Sequence, residues 1–144
     1  MSLVSDILNW KGDEVCTVTP DTSVLATLEL MAAKEIGAVV VLDDGRLAGI
    51  FTERDYARKV VLAGRSSKDA AVRDVMTTQV VCVAPERSAD ECLALMTDKR
   101  MRHLPVLQAK RLVGIVSIGD LVKAKIADQE HTIEQLQSYI AGQF

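Results

Sequence analysis

The sequence predicts a mixed α/β (α+β) fold made of two copies of one β-α-β-β-α repeat. The stretch at 49–55, GIFTERD, recurs at 114–120 as GIVSIGD, 65 positions later. The same offset relates Pro20 to Pro85, and residues 16–60 align with the second copy without a gap. Since a repeat of this length would be marginally stable alone, we expect a pseudo-twofold pair that buries a shared sheet surface.

Each repeat is predicted to begin with a lead-in helix and a short strand. The lead-in phrase Val4–Leu8 recurs as Val72–Met76. Residues 15–20 then alternate apolar and polar side chains and stop at a proline, a pattern typical of a half-buried strand. The counterpart of this strand is 80–85.

A helix follows each predicted strand. In the first repeat Val24, Leu28 and Met31 share one face of a helix from about 23 to 36, which Gly37 is placed to end. In the second repeat the helix begins with a capping box, the pair of Ser88 and Glu91. Its inward side chains are predicted to be Cys92, Leu93 and Met96.

A hairpin and a closing helix complete each repeat. The apolar run Ala38–Leu42 predicts a strand covered on both faces, and 43–45 turns the chain into a returning strand at 47–51. The equivalents in the second repeat are 104–107, 108–110 and 112–116. We expect the closing helices to run from Glu53 to about Ala63 and from Ile118 to about Ala127.

These elements divide the chain into a first repeat at 1–64, a linker at 65–71, a second repeat at 72–128 and a helical tail at 129–144. From Lys125 onward the tail carries apolar residues at heptad-like spacing, although the run is too short for an independent coiled coil. This seam predicts either homodimerisation or a helix packed on its own lobe. Its members are Ile126, Ile133, Leu136 and Ile140.

Composition excludes several classes of protein. A net charge of −3 and 3% aromatic residues give no electrostatic or stacking surface for nucleic acid. The beginning of the sequence lacks the pattern of a signal peptide, and the run Ala38–Leu42 is far too short to span a membrane. We therefore expect a cytoplasmic protein without a membrane partner. Cys16, Cys82 and Cys92 are predicted to be reduced core residues, not metal ligands.

The two central stretches admit two interpretations. Thr52 with Asp55, and Ser117 with Asp120, fit a variant of the capping box, in which hydroxyl and carboxylate satisfy free backbone amides at a helix start. The same geometry suits a nucleotide, because a helix N-terminus attracts phosphate and a carboxylate can accept hydrogen bonds from ribose hydroxyls. From these four residues alone, both interpretations stay open.

Three features together carry a resemblance to a known family. They are the two Gly-Ile-x-[Thr/Ser]-x-x-Asp stretches, the Val-x-Pro strand ends at 18–20 and 83–85, and the segment MRHLPV at 101–106. From Val4 to about Ile126 the chain resembles a tandem pair of CBS domains, also called a Bateman module, of the stand-alone bacterial type. The resemblance implies a regulatory module that binds AMP, ADP, ATP or NAD(H) in two clefts between the repeats. It also implies a disc-like homodimer and an effector protein that the sequence does not identify.

The resemblance also implies which residues contact the ligand. The carboxylate of each central stretch would hold the ribose, the hydroxyl would lie near the phosphate, and the basic segment of the opposite repeat would meet the phosphates. Where the second repeat has a basic pair the first has Gly-Ala, and an arginine in the first central stretch could compensate. One cleft would combine Thr52 and Asp55 with Arg102 and His103. The other cleft would combine Ser117 and Asp120 with Thr17, Gly37 and Ala38. The compensating arginine is Arg54.

Two other functions are weighed against this one. An enzyme is disfavoured because the sequence has no zinc-protease, nucleophile-elbow or phosphate-binding-loop motif and has two histidines, His103 and His131. We therefore predict no catalytic residue, no metal site and no catalytic cofactor. A structural oligomerisation module without a ligand is the alternative, although both carboxylates and both hydroxyls of the central stretches remain.

Overall fold

The structure is a computed structural model that describes residues 1–142. It contains two compact units: a continuous unit, Glu14–Val81, and a split unit, in which Met1–Asp13 join the chain from Cys82 onward. The predicted fold of mixed helices and strands in two repeats is confirmed. In chain order the elements are α1 (Val4–Lys11), β1 (Thr17–Val18), α2 (Val24–Lys34), β2 (Ala38–Asp43), β3 (Arg46–Thr52), α3 (Glu53–Asp55), a π-helical segment (Tyr56–Val61), a 3₁₀ turn (Val72–Asp74), α4 (Ala89–Lys99), β4 (His103–Gln108), β5 (Arg111–Ser117) and α5 (Ile118–Ile140).

The continuous unit is built on a three-stranded sheet in the order β1-β2-β3. β1 runs parallel to β2, and β2 forms an antiparallel hairpin with β3. The first four side chains of β2 are all buried, which confirms the prediction of a strand covered on both faces. Its core also contains Val24 of α2, Phe51 of β3 and Val60 of the π-helical segment, all at most 1% exposed.

The split unit repeats this plan with a smaller sheet. β4 and β5 form an antiparallel hairpin, and the predicted strand at 80–85 is reduced to a single parallel bridge between Val83 and Val106. Val4 and Ile7 of α1 are fully buried in this unit, as are Cys92 of α4 and Leu121 of α5. α1 therefore contributes to a core whose other elements lie far along the chain.

The lead-in segments pack against the opposite repeat. Leu3, just before α1, bridges to Ser88 at the start of α4, while Ala71 bridges to Ser23 at the start of α2. Each lead-in also covers the glycine of a returning strand, where an added methyl group would lie 2.6 Å from a side-chain atom of Leu8 or of Met76. The compact units differ from the predicted repeats at 1–64 and 72–128, because each unit contains the lead-in segment of the opposite repeat.

Helix α2 is not ended by Gly37, so that prediction is wrong. The helix stops at Lys34, and Glu35 adopts a left-handed conformation (φ 53°) that directs its N–H to the carbonyls of Met31 and Ala32. Arg100, with φ 54°, ends α4 in the same way. Both helices therefore end at a non-glycine residue in the left-handed region, at a cost in backbone strain, and α2 closes two residues before the predicted Gly37.

Several predicted lengths also differ. The strand expected at 15–20 is only two residues long, β1, and the lead-in helix expected at 72–76 is a 3₁₀ turn. The helix expected from 53 to 63 begins as α3 and continues in π-helical form to Val61. α5 passes its expected end near Ala127 and continues to Ile140, because no glycine or proline lies between these two residues. No helix within residues 1–142 has the length and apolar character needed to cross a membrane.

Candidate functional site

Both central stretches place a hydroxyl residue at the junction of a strand and a helix. Thr52 ends β3, its Oγ1 accepts a hydrogen bond from the N–H of Asp55 (3.2 Å), and its own N–H donates to Oδ2 of Asp55 (3.0 Å). Ser117 and Asp120 make the same reciprocal pair at 3.2 and 2.8 Å. The capping geometry is thus present in both units.

Asp55 is also held by groups beyond its capping box. Lys59, one helical turn later, places Nζ 3.1 Å from Oδ1, and the hydroxyl of Thr77 donates to the same oxygen at 3.0 Å. The Asp55 side chain is 9% exposed, whereas that of Lys59 is 43% exposed. The carboxylate is therefore nearly buried, with a partly exposed cation at its outer edge.

Asp120 receives its cation from a different element. Nζ of Lys11, the last residue of α1, lies 2.5 Å from Oδ2 of Asp120 and 2.8 Å from the carbonyl oxygen of Ile115. Burial by itself would raise the pKa of Asp120, but the hydrogen bonds from Lys11 and from the Ser117 backbone outweigh it and hold the pKa below its ordinary value. Asp120 is therefore ionised across the physiological range.

The predicted flanking residues of the first repeat lie beside its own central stretch. Gly37 accepts a hydrogen bond through its carbonyl from the N–H of Glu53 (3.1 Å). Ala38 stands opposite Thr52 in the β2–β3 register, and Thr17 stands opposite Val40 on the neighbouring strand. Arg54 is exposed on α3. The continuous unit therefore gathers the predicted residues of 14–81 at one end of its sheet.

The split unit makes the equivalent cluster. Arg102 accepts a hydrogen bond through its carbonyl from the N–H of Ile118 (2.9 Å), and its side chain is exposed. His103, half-buried, stands opposite Ser117 in the β4–β5 register. The basic pair thus lies beside the serine and aspartate of its own repeat. The predicted pairing of Arg102 and His103 with Thr52 and Asp55 joins the two units and stays a prediction.

Sequence reasoning missed three residues that contact the carboxylates: Lys11, Lys59 and Thr77. Lys59 could have been found, since residues at i and i+4 on a helix are neighbours and Asp55–Lys59 has this spacing. Lys11 and Thr77 follow the exchanged lead-in segments, so no local pattern connects them to Asp120 and Asp55.

The three cysteines differ in their burial. Cys92 is buried and Cys16 and Cys82 are half-buried, all three as free thiols. Burial raises the pKa of Cys82 and of Cys92, which keeps both thiols protonated. Among residues 1–142 no three His, Cys, Asp or Glu side chains come together as a metal site would require.

Two strand-to-helix junctions with matching hydroxyl and carboxylate pairs define a paired-repeat module. The CBS-domain family matches residues 4–62 and 72–127. The chain is 39% identical to the mitochondrial CBS domain-containing protein CBSX3 of Arabidopsis thaliana, over 96% of this chain and 72% of that protein. It is 33% identical to the CBS domain-containing protein YhcV of Bacillus subtilis, over 90% and 89% of the two chains.

A solved structure is similar to this chain in both sequence and fold. A CBS-domain protein from Burkholderia ambifaria is 53% identical and superposes with a TM-score of 0.85, over 89% of this chain and 96% of that one. The chain therefore belongs to the CBS-domain family and carries two CBS domains in tandem.

Proposed function

We propose that this chain is a regulatory module that binds an adenosine nucleotide, AMP, ADP, ATP or NAD(H), and passes on the binding by a change of conformation or assembly. The observation that carries the proposal is the recurrence of one arrangement at both strand-to-helix junctions. In each, a hydroxyl and a carboxylate lie beside a lysine: Thr52, Asp55 and Lys59 in one unit, and Ser117, Asp120 and Lys11 in the other.

The chemistry of these groups suits a ribose and a phosphate. An ionised carboxylate has about four acceptor positions, so Asp55 and Asp120 can serve their capping N–H groups and still receive hydroxyl donors. The lysine on the outer edge of each carboxylate is a flexible cation that can turn toward a phosphate. The ribose hydroxyls would then replace the lysine ammonium as donors to the carboxylate, and the lysine ammonium would pair with the phosphate.

A structural neighbour supports the class of ligand. The CBS domain pair of protein MJ0100, solved in complex with 5′-methylthioadenosine and S-adenosylmethionine, superposes with a TM-score of 0.78 over 89% of this chain. At 22% identity this likeness concerns the fold, and the two ligands belong to that protein. They share the adenosine group that the proposal assigns here.

The proposed module acts without catalysis. It would bind its nucleotide intact, form a homodimer and signal to an effector protein. Catalytic residues have no place in the proposal, because the carboxylates, hydroxyls and lysines described above all have binding roles in it.

A second candidate, a structural module that binds no ligand, is favoured by one observation. Both carboxylates already have internal donors, since Asp55 accepts from Thr52 and Thr77 and Asp120 from Ser117 and Lys11. Their burial is thus satisfied without a nucleotide. The capping boxes alone would account for them.

Thermal unfolding with a panel of AMP, ADP, ATP, NAD, NADH and S-adenosylmethionine tests the two candidates. A ligand at a hundredfold its dissociation constant stabilises a protein by about 2.7 kcal/mol, which corresponds to several degrees in a domain of this size. Asp55→Ala and Asp120→Ala should reduce the shift, whereas Asp90→Ala, which removes a carboxylate that belongs to neither cluster, should not. Chromatography of the recovered ligand tests the absence of turnover. No shift with any compound would favour the structural module.

A further inference from the structure

Helix α5 has two halves with different surroundings. In the first half, Leu121 and Ala124 are buried, and the helix packs on α1 and α4. From Gln129 to Ile140 every described side chain is exposed except Ser138, which is half-buried. Isolated helices of this length are marginal in water, so the second half needs a partner that covers part of it.

The exposed apolar residues of α5 form one stripe at heptad spacing. Ile133 is 53% exposed and Leu136 is 57% exposed, although both are large aliphatic side chains. Of the two predictions made for the tail, packing of this seam on its own lobe is therefore wrong within residues 1–142. Placed in a heptad, Ile126, Ile133 and Ile140 occupy positions a, and Val122, Gln129 and Leu136 occupy positions d.

We infer that a second copy of this chain covers this stripe and that the two α5 helices pair in parallel. β-branched residues at a with leucine at d favour two-stranded parallel coiled coils, and here the a residues from 126 onward are all isoleucine. Gln129 at position d interrupts the apolar seam between Ile126 and Ile133, which lowers the stability of the pair. In such a pair the same surface of each protomer contacts the other, so the assembly is a closed dimer.

Charge favours the parallel orientation. In a parallel pair, position g of one helix faces position e of the next heptad in its partner, which places Lys125 opposite Glu130 of the second copy. Lys125 pairs with Asp90 in its own chain at 2.8 Å, and both side chains are at least 40% exposed, so the lysine can serve both carboxylates. In an antiparallel pair g faces g. Lys125 would then meet no carboxylate, because the other g residues of α5 are Ile118, Thr132 and Tyr139.

The inference rests on the homodimer named in the proposed function and assigns its surface. Light scattering coupled to size-exclusion chromatography, at high micromolar concentration, should give the parent chain twice its 15.7 kDa mass. Ile133→Glu should return the mass to that of one chain, because it places two carboxylates face to face in the seam. Gln135→Glu adds the same charge on the outer face of α5 and should leave the dimer intact. Circular dichroism of both variants checks that the units remain folded.

Disulfide trapping tests the orientation. Under mild oxidation Leu136→Cys should form a covalent dimer, since equivalent d positions face each other in a parallel pair. Ser138→Cys, outside the seam, should not, and the parent chain reports the contribution of its native cysteines. Absence of the Cys-linked dimer at 136 would overturn the parallel arrangement.

The remaining outcomes separate the surface from the homodimer. A dimer that survives Ile133→Glu would overturn the assignment of this surface while the homodimer stands. A monomeric parent would overturn both and leave the stripe for a different protein. Neither result bears on nucleotide binding, which the thermal panel measures independently in the same variants.

Discussion

Lys11 joins the end of α1 to the start of α5, with its Nζ 2.5 Å from Oδ2 of Asp120. The equivalent carboxylate, Asp55, takes its cation from Lys59 on its own helix and a hydroxyl from Thr77. The two repeats thus neutralise matching carboxylates through different parts of the chain. Displacing Lys11 would loosen the contact between α1 and α5, whereas displacing Lys59 would release its 3.4 Å contacts with the carbonyl oxygen of Met76 and the hydroxyl of Thr77.

Removing the lysine should make the split unit more sensitive to acid. Because the pKa of Asp120 is held below its ordinary value, its stabilising contribution is complete above the usual carboxylate range and is lost as pH falls through the lowered pKa. In Lys11→Met that pKa should rise, so stability should be lost at higher pH. We expect a loss of about 1.5–3 kcal/mol at pH 7 by urea unfolding, the range for hydrogen bonds to charged groups.

A second ion pair provides the control for this prediction. Arg87 and Glu91 form a pair of spacing i, i+4 in which both side chains are more than half exposed. Arg87→Met should leave stability nearly unchanged, because exposed pairs contribute little. Carboxyl NMR titration of Asp120 in Lys11→Met gives the decisive readout, and an unchanged pKa would contradict the assigned role of Lys11.

The two glycines under the lead-in segments should differ in their tolerance of alanine. At Gly49 an added methyl group would meet the carbonyl oxygen of Thr77 at 2.8 Å as well as Met76 at 2.6 Å. At Gly114 it would meet two terminal methyl groups of Leu8, which can rotate away. We therefore expect Gly49→Ala to cost about 1–3 kcal/mol and Gly114→Ala less. Denaturant unfolding of both variants compares them, and equal losses would show that the backbone contact at Thr77 yields as easily as a side chain.

The turn of the second hairpin should be improvable. Ala109 and Lys110 adopt φ values of 51° and 65°, a conformation that non-glycine residues rarely adopt. At the same place the first hairpin uses Asp44 and Gly45, which suit a two-residue turn of this kind. Replacing Ala109-Lys110 by Asn-Gly should raise stability by about 1–2 kcal/mol, measured by calorimetric melting. The reverse exchange at 44–45 is the matched control and should destabilise by a similar amount.

If the chain binds nucleotides, Arg102 should distinguish phosphorylated from unphosphorylated ligands. Arg102→Ala should weaken AMP roughly ten- to a hundredfold and adenosine little, since charge-assisted bonds to phosphate are the stronger kind. Asp55→Ala should weaken both ligands through the shared ribose. Calorimetry with Arg111→Ala as the control measures these affinities. An unchanged AMP affinity in Arg102→Ala, or loss of the tight site through Asp120→Ala alone, would refute the pairing of the basic segment with Asp55.

The predictable parts of the fold are those encoded locally. The capping box of Ser88 and Glu91, the turn after β2 and the buried run of β2 were all predicted from residues within a few positions of one another. The ends of helices were less predictable. α2 ends at Glu35, which adopts the left-handed conformation although it is not a glycine. The glycine at 37 predicts a later end.

The candidate site divides in the same way. Asp55 and Asp120 stand out because the central stretch is written twice, and their capping partners lie three positions away. Lys11 lies 109 positions from Asp120 and Thr77 lies 22 from Asp55, each brought there by an exchanged lead-in. Such contacts depend on which repeat a segment packs against. The periodicity of residues within a segment does not indicate which repeat that is.

The exchange of lead-ins also orders the events of synthesis. All of the residues of the continuous unit, Glu14–Val81, emerge from the ribosome one after another, so this unit can close while the rest is still being translated. Helix α1, made earlier, must keep Val4 and Ile7 uncovered until β5 arrives, since Lys11 and Ile115 are 104 positions apart. Helix α1 is thus covered late although it precedes the continuous unit in the chain, and during that interval its apolar side chains are open to chaperones and to misassembly.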